Sequence, residues 1–307
     1  MSTRNAEAVP RHAASVAEVY GRMQRAAGVQ GRFLTRPSGR RVHVVETGDG
    51  THVVHLHGTN TSALSHLMLV GRAPHSYLVD RPGRGLSDPE PFRDGHFREY
   101  AVAFVGDVLD ALGLDDPVLV GASGGGIWAT WFALAHPDRV RGLVMLGSVP
   151  TLPGGRAPLP LRLAASRGIG DVMTRVLRPN RRMLIRLMAS VGEADTIVRH
   201  PDLLDSLVAG ARDQVATRAN HDELRALLTL RGFRPTMVFG RDELRRLSVP
   251  TLMIWGDRDP VVSVENARAA ADDIPDVRLE VLPGGHVPQL GNPDRVAALL
   301  EEFAAAV

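Results

Sequence analysis

Hydrophobic positions along this chain follow two periods in turn: runs of strand length, and longer stretches with an apolar residue every three or four positions. Residues 14–27 place Val16, Val19, Tyr20 and Met23 on one helical face. From Gly31 onward, polar and apolar residues alternate around the turn signals Pro37-Ser38-Gly39 and Gly48-Asp49-Gly50. This predicts antiparallel strands leading into a buried strand at His52–Leu56. A further apolar run spans Ser76–Asp80, and a helix is predicted over Phe97–Leu112 with Gly113 as its C-cap. Val118-Leu119-Val120 is apolar on both faces, Ile127 to His136 has helical spacing closed by Pro137, and another strand covers Val140–Leu146. Strands alternating with helices predict an α/β fold with a mostly parallel sheet covered on both faces.

At Pro150 the rhythm breaks. Up to about Ser248 the pattern holds no strand, only a Pro/Gly-rich lead followed by amphipathic segments near 171–177, 180–191, 202–218 and 221–230. Alternation resumes at Val249–Val261 and again at Val277–His286, and the chain closes in a helix over Pro293–Ala305. The expected organisation is a core made of residues 1–149 and 249–307, with residues 150–248 inserted between two of its strands as a helical lid.

Composition narrows the chemistry. Among 307 residues there is no cysteine, which excludes thiol nucleophiles, thiolate metal sites and disulfides. All 36 basic residues are arginine, which excludes Schiff-base chemistry, a Ser-Lys dyad and a P-loop lysine. The 12 histidines show no metal-ligand spacing, so no metal is expected. No apolar run approaches the roughly 18 residues of a membrane span, and the N-terminal stretch lacks a signal-peptide core. The expectation is a cytoplasmic protein. Net charge is +2 but uneven, because residues 150–248 hold 17 Arg against 10 Asp and Glu and the remainder 19 against 24. Within 175–190, Met183, Leu184, Leu187 and Met188 interleave with Arg175, Arg178, Arg181, Arg182 and Arg186, the pattern of an amphipathic lid helix with a solvated face. The excess charge either clamps the lid to the acidic core or draws an acidic substrate. No aromatics interleave with the arginines, so nucleic acid is not an expected partner.

The candidate chemistry starts at Gly121-Ala122-Ser123-Gly124-Gly125. A strand turning sharply into a helix puts Ser123 at the apex, facing the positive end of the helix, with Gly121 and Gly125 allowing the close backbone approach. Such a glycine-rich turn also suits a phosphate, a reading that the missing lysine weakens. A serine nucleophile needs a base and an orienting carboxylate. Both occur where later strands end: Gly256-Asp257-Arg258-Asp259 after one, Pro283-Gly284-Gly285-His286 after the other. His286 is the candidate base, and Asp257 and Asp259 compete as the acid.

The order Ser123, Asp259, His286 resembles that of the α/β-hydrolase superfamily, and further motifs extend the resemblance over nearly the whole chain. His57-Gly58 resembles the oxyanion segment, Asp80–Pro89 the D-x-P-G-x-G-x-S turn, and His136–Leu146 the helix end and strand after the elbow. The resemblance implies an eight-stranded sheet and a Ser123-His286-Asp259 triad, with Asp257 bracing its loop. It implies an oxyanion hole formed by the backbone amides of Thr59 and Gly124. Many relatives carry a large residue at Gly124, so glycine there is expected to open the pocket beside the serine.

The expected activity is that of a serine hydrolase acting through an acyl-enzyme, without cofactor, on a carboxylic ester of moderate size and largely hydrophobic character. Hydrolysis of C–C bonds in vinylogous diketones is the alternative. A ligand-binding or biosynthetic member of the fold that does not hydrolyse is the third reading.

Overall fold

The computed structural model describes residues 15–93, 95–176 and 178–307. The expected N-terminal absence of a signal core therefore concerns residues outside the described part, as does the Arg175 side chain.

Helix α1 (Val16–Ala27) begins with Ser15 and Glu18 in a reciprocal capping box and ends at Gly28 in the left-handed conformation. Strands β1 (Gly31–Thr35) and β2 (Arg41–Thr47) follow as an antiparallel pair, then β3 (Val53–Leu56) and β4 (Ser76–Val79). Helix α2 (Phe97–Leu112), ending at Gly113, leads into β5 (Val118–Ala122), α3 (Gly124–Ala135) and β6 (Gly142–Leu146). After β6 the chain leaves the sheet through α4 (Leu159–Ala165), α5 (Ile169–Val176), α6 (Arg181–Ala189), α7 (Ala194–Ile197), α8 (Pro201–Arg212) and α9 (Gln214–Leu227). A short hairpin, β7 (Leu228–Thr229) with β8 (Gly232–Phe233), and α10 (Arg241–Arg245) complete this excursion. The chain returns as β9 (Thr251–Gly256), α11 (Val264–Ala271), β10 (Val277–Leu282), α12 (Pro288–Gly291) and α13 (Pro293–Ala306).

The sheet has eight strands in the order β1-β2-β4-β3-β5-β6-β9-β10, antiparallel at β1-β2-β4 and parallel from there on. Every residue of β3, β4, β5, β6 and β9 is buried, which is why these strands read as unbroken apolar runs. β10 is the edge, where Arg278 and Glu280 reach solvent. On one face α2 packs on α3 through Phe97 and Phe104, which meet Trp128 edge-on at 5.7 and 5.4 Å.

The excursion differs from the sequence pattern in three places. α4 starts inside the proline-rich lead, because Pro160 falls in its first turn, where a missing amide costs nothing. The expected 202–218 helix breaks at Asp213, whose extended backbone and side chain cap α9 through the Ala216 amide. The β7–β8 hairpin stands where no strand was expected, turning at Leu230-Arg231 into Gly232, whose φ is 130°. No helix among the described residues is long and apolar enough to cross a membrane.

Candidate active site

The loops that follow β3, β5, β6, β9 and β10 converge at one edge of the sheet. Ser123 stands at the turn from β5 to α3 with φ 49° and ψ −116°, a conformation that costs a residue with a Cβ about 1–3 kcal/mol. Its neighbours hold it there. The Ser123 amide donates to Leu146 O at 3.3 Å, and its carbonyl accepts from Gly126 N at 2.8 Å. A Cβ on Gly121 would lie 2.4 Å from Gly126 Cα, and one on Gly125 would lie 2.1 Å from Leu56 O. These contacts also explain why α3 starts at Gly124, before the first apolar residue of the predicted helix.

His286 Nε2 lies 2.8 Å from Ser123 Oγ, and His286 Nδ1 lies 3.0 Å from Asp259 Oδ2. Asp259 is buried and accepts from the Val261 amide at 2.8 Å and the Ser148 amide at 3.3 Å. Burial alone would raise its pKa. The adjacent His286 and these hydrogen bonds outweigh burial and hold the carboxyl below its ordinary range. Asp257 is turned away and accepts from the Gly284 amide at 2.8 Å, bracing the histidine loop. Ser148 was not among the sequence candidates. It follows β6, is buried, and sets its Oγ 2.9 Å from His286 Nδ1.

The histidine loop is also gripped from the excursion. The His286 amide donates to Val191 O at 3.0 Å and the Val287 amide to Glu193 Oε1 at 2.8 Å. Glu193 is buried, and burial, despite the Val287 amide, pushes its carboxyl above the ordinary range.

The segment after β3 is held by His57. The Arg81 amide donates to His57 Nε2 at 3.0 Å, so the ring proton sits on Nδ1 and is donated to Gly58 O at 2.8 Å. Thr61 Oγ1 donates to the same carbonyl at 2.9 Å. Gly58 C=O and Thr59 N–H belong to one trans peptide, so fixing the carbonyl fixes the amide on its opposite side. That amide lies 3.1 Å from where a Cβ on Gly124 would be, which brings both expected oxyanion donors to the same place. Among the described residues neither the Thr59 nor the Gly124 amide has an acceptor. His57 is thus a structural hydrogen-bonder, as is His55, which meets Ser76 Oγ at 3.1 Å.

Gly124 does not open the pocket as expected. Its Cβ position would lie 2.2 Å from Thr59 Oγ1 and 3.2 Å from Glu223 Oε1, so that space is already filled. Glu223 of α9 is buried and accepts from Thr59 Oγ1 at 3.0 Å and from Arg81 Nη1 at 2.9 Å, and it also pairs with Arg84. Burial would raise the Glu223 pKa, but the two guanidinium groups hold it below the ordinary range. Arg84 is lowered to about 10 by burial. The sequence carries one trace of this cluster: Glu223 occupies the same face of α9 as the buried Ala216, Leu224 and Leu227, where an apolar residue is the rule.

A cavity of about 150 Å³ opens at Ser123 and His286. Its walls are apolar, with Ile127 and Leu146 from the core and Leu184, Leu187, Leu227 and Phe233 from the excursion. Thr59, Asn60 and Gln289 are among its polar lining residues. Among the described residues no arginine and no carboxylate lines it. Some arginines of the excursion pair with carboxylates away from the cavity, Arg181 with Asp205, Arg225 with Asp171 and Arg245 with Asp273. Pairs between excursion and core run in both directions, since Arg22 and Arg98 of the core reach Asp202 and Glu243.

The fold and the serine-bearing turn together define a class: residues 52–293 match the α/β hydrolase fold family, and the chain belongs to that family. The chain is 30% identical, over 81% of its length and 86% of the relative's, to a 2-hydroxy-6-oxononadienedioate/2-hydroxy-6-oxononatrienedioate hydrolase of Cupriavidus pinatubonensis. It is 32% identical, over 87% of its length and 100% of the relative's, to a pimeloyl-[acyl-carrier protein] methyl ester esterase of Xanthomonas campestris. Carboxylesterase CesB of Bacillus subtilis shares the fold with a TM-score of 0.75 at 22% identity, over 95% of this chain and 98% of that one.

Proposed function

We propose that this protein is a serine hydrolase that cleaves a small carboxylic ester with an apolar acyl group through an acyl-enzyme. The observation that carries the reading is the hydrogen-bonded chain Ser123–His286–Asp259 at the mouth of an uncharged apolar cavity, beside two acceptor-free amides. Ser123 Oγ attacks the ester carbonyl while His286 Nε2 takes its proton. Charge collects on the carbonyl oxygen, which the Thr59 and Gly124 amides receive. The C–O bond then breaks, and His286 returns the proton to the leaving alkoxide. Water, deprotonated by His286, hydrolyses the acyl-enzyme by the same route. Asp259, charged, keeps the His286 proton on Nδ1 and stabilises the imidazolium. The helices between β6 and β9 act as the lid that supplies much of the apolar wall.

Hydrolysis of a C–C bond remains the second reading, because one relative is named for a dienedioate. A dicarboxylate needs a cation, and none lines this cavity among the described residues. The same observation argues against an anionic substrate drawn inward by the lid arginines. The test is a panel of neutral esters of increasing acyl length, carboxylate-bearing analogues and a vinylogous diketone. Neutral esters should turn over fastest, and Ser123→Ala should be inactive on all of them. Preferential turnover of the diketone would favour the second reading, and no turnover of any ester would favour a binding protein.

A further inference from the structure

We propose that Glu223, on α9 of the excursion, is a positioning residue for the oxyanion loop, so that core and lid build the oxyanion hole jointly. The inference rests on the serine-hydrolase reading above and deepens it. Thr59 carries one of the two oxyanion amides, and its side chain has a single acceptor among the described residues, Glu223 Oε1 at 3.0 Å. One turn earlier on α9, Asn220 Oδ1 accepts from the Asn60 amide at 3.3 Å. Asn60 itself holds the left-handed conformation at φ 61°. Two consecutive residues of the loop are therefore fastened to one helix of the lid.

That helix is fixed in turn by charge. Arg81 and Arg84 both reach the Glu223 carboxylate, Arg84 Nε also reaches Asn220 Oδ1 at 2.9 Å, and Arg84 Nη2 reaches Ala219 O at 3.1 Å. Arg81 stacks over Trp128 at 4.9 Å, with its Nε and Nη2 buried and, among the described residues, without a partner. Withdrawing Glu223 would leave two buried guanidinium groups without this carboxylate, so α9 is held against the core at this point. The glycine at position 124 belongs to the same arrangement. Its missing side chain leaves room for the Thr59 hydroxyl on its way to Glu223.

The test uses the full-length protein with Thr59→Val, Thr59→Ser and Glu223→Gln, a neutral ester, and a fluorophosphonate that labels an activated serine. Kinetics are measured well below the Tm of each variant. A lost hydrogen bond that acts on the transition state lowers kcat and leaves KM in place. Thr59→Val is expected to lower kcat about tenfold with KM within about twofold, and Thr59→Ser to restore kcat. Glu223→Gln should lower kcat in the same sense. A purely structural role would lower Tm and leave kcat alone, so unchanged kcat in Thr59→Val and Glu223→Gln overturns the proposal. Equal losses in Thr59→Val and Thr59→Ser overturn it as well. Failure of the wild type to take the label at Ser123 would instead remove the serine-hydrolase reading underneath it.

Discussion

Ser123 holds a backbone conformation that a residue with a Cβ avoids, and its hydroxyl is aimed at a histidine rather than at the helix amides it could cap. On the proposed function that hydroxyl is the nucleophile. Ser123→Ala should therefore lower kcat by about 10³-fold or more with unchanged thermal unfolding, measured on a neutral ester. The acid can be assigned the same way. Asp259→Asn should cost at least about a hundredfold by unsettling the His286 tautomer, whereas Asp257→Asn should stay within a few-fold, because Asp257 meets the Gly284 amide and Arg258 and makes no contact with the His286 ring. The reverse pattern would move the acid to Asp257. Because Asp259 is held below the ordinary carboxylate range, it is charged at neutral pH, and no loss of activity near neutrality should trace to it. Ser148 shares His286 Nδ1 with Asp259, so Ser148→Ala should reduce kcat modestly, by less than about tenfold.

At the scale of elements, the helices between β6 and β9 hold both halves of the site through buried glutamates. Glu193 accepts from the Val287 amide beside His286, and Glu223 accepts from the Thr59 hydroxyl beside the amides proposed as oxyanion donors. Glu193→Gln keeps an acceptor for the amide and should keep its activity, while Glu193→Ala should lose kcat as the histidine loop loosens. Equal activity in the two variants would make Glu193 a packing residue only. These contacts mark the boundary of what the chain discloses by its pattern. The parallel strands were legible because burial on both faces leaves continuous apolar runs. Ser123, Asp259 and His286 were legible because each lies just past such a run. Glu223 and Ser148 were not, since their partners lie 164 and 138 positions away and only the folded chain brings them together. The break at Asp213 was missed because one capping side chain, rather than the apolar period, decides it. Gly124 was misread because an empty side chain was taken for empty space that Thr59 and Glu223 fill.

For the whole molecule, three buried histidines add to the loss of stability in acid that the lowered carboxylates Asp259 and Glu223 also bring. Burial lowers His66 to about 4, and burial holds His55 and His57 well below the ordinary value, helped by His66 and by Arg81 respectively. Each is neutral when folded and takes a proton near pH 6.5 when unfolded. The stability they contribute is full above about pH 6.5 and is lost as pH falls from there toward 4. The His66 shift is worth on the order of a few kcal/mol at full protonation, and among the described residues neither of its buried ring nitrogens has a partner. Replacing His66 with Leu should flatten the fall of the urea midpoint between pH 6.5 and 4, and an unchanged slope would contradict this. On the proposed function, acyl transfer passes through Ser123, and mass spectrometry of the protein quenched during turnover of a slowly deacylated ester, with the modified peptide identified, tests this directly. One adduct of the acyl mass is expected on Ser123, absent in Ser123→Ala. Turnover with no adduct, or an adduct on any other residue, would contradict it.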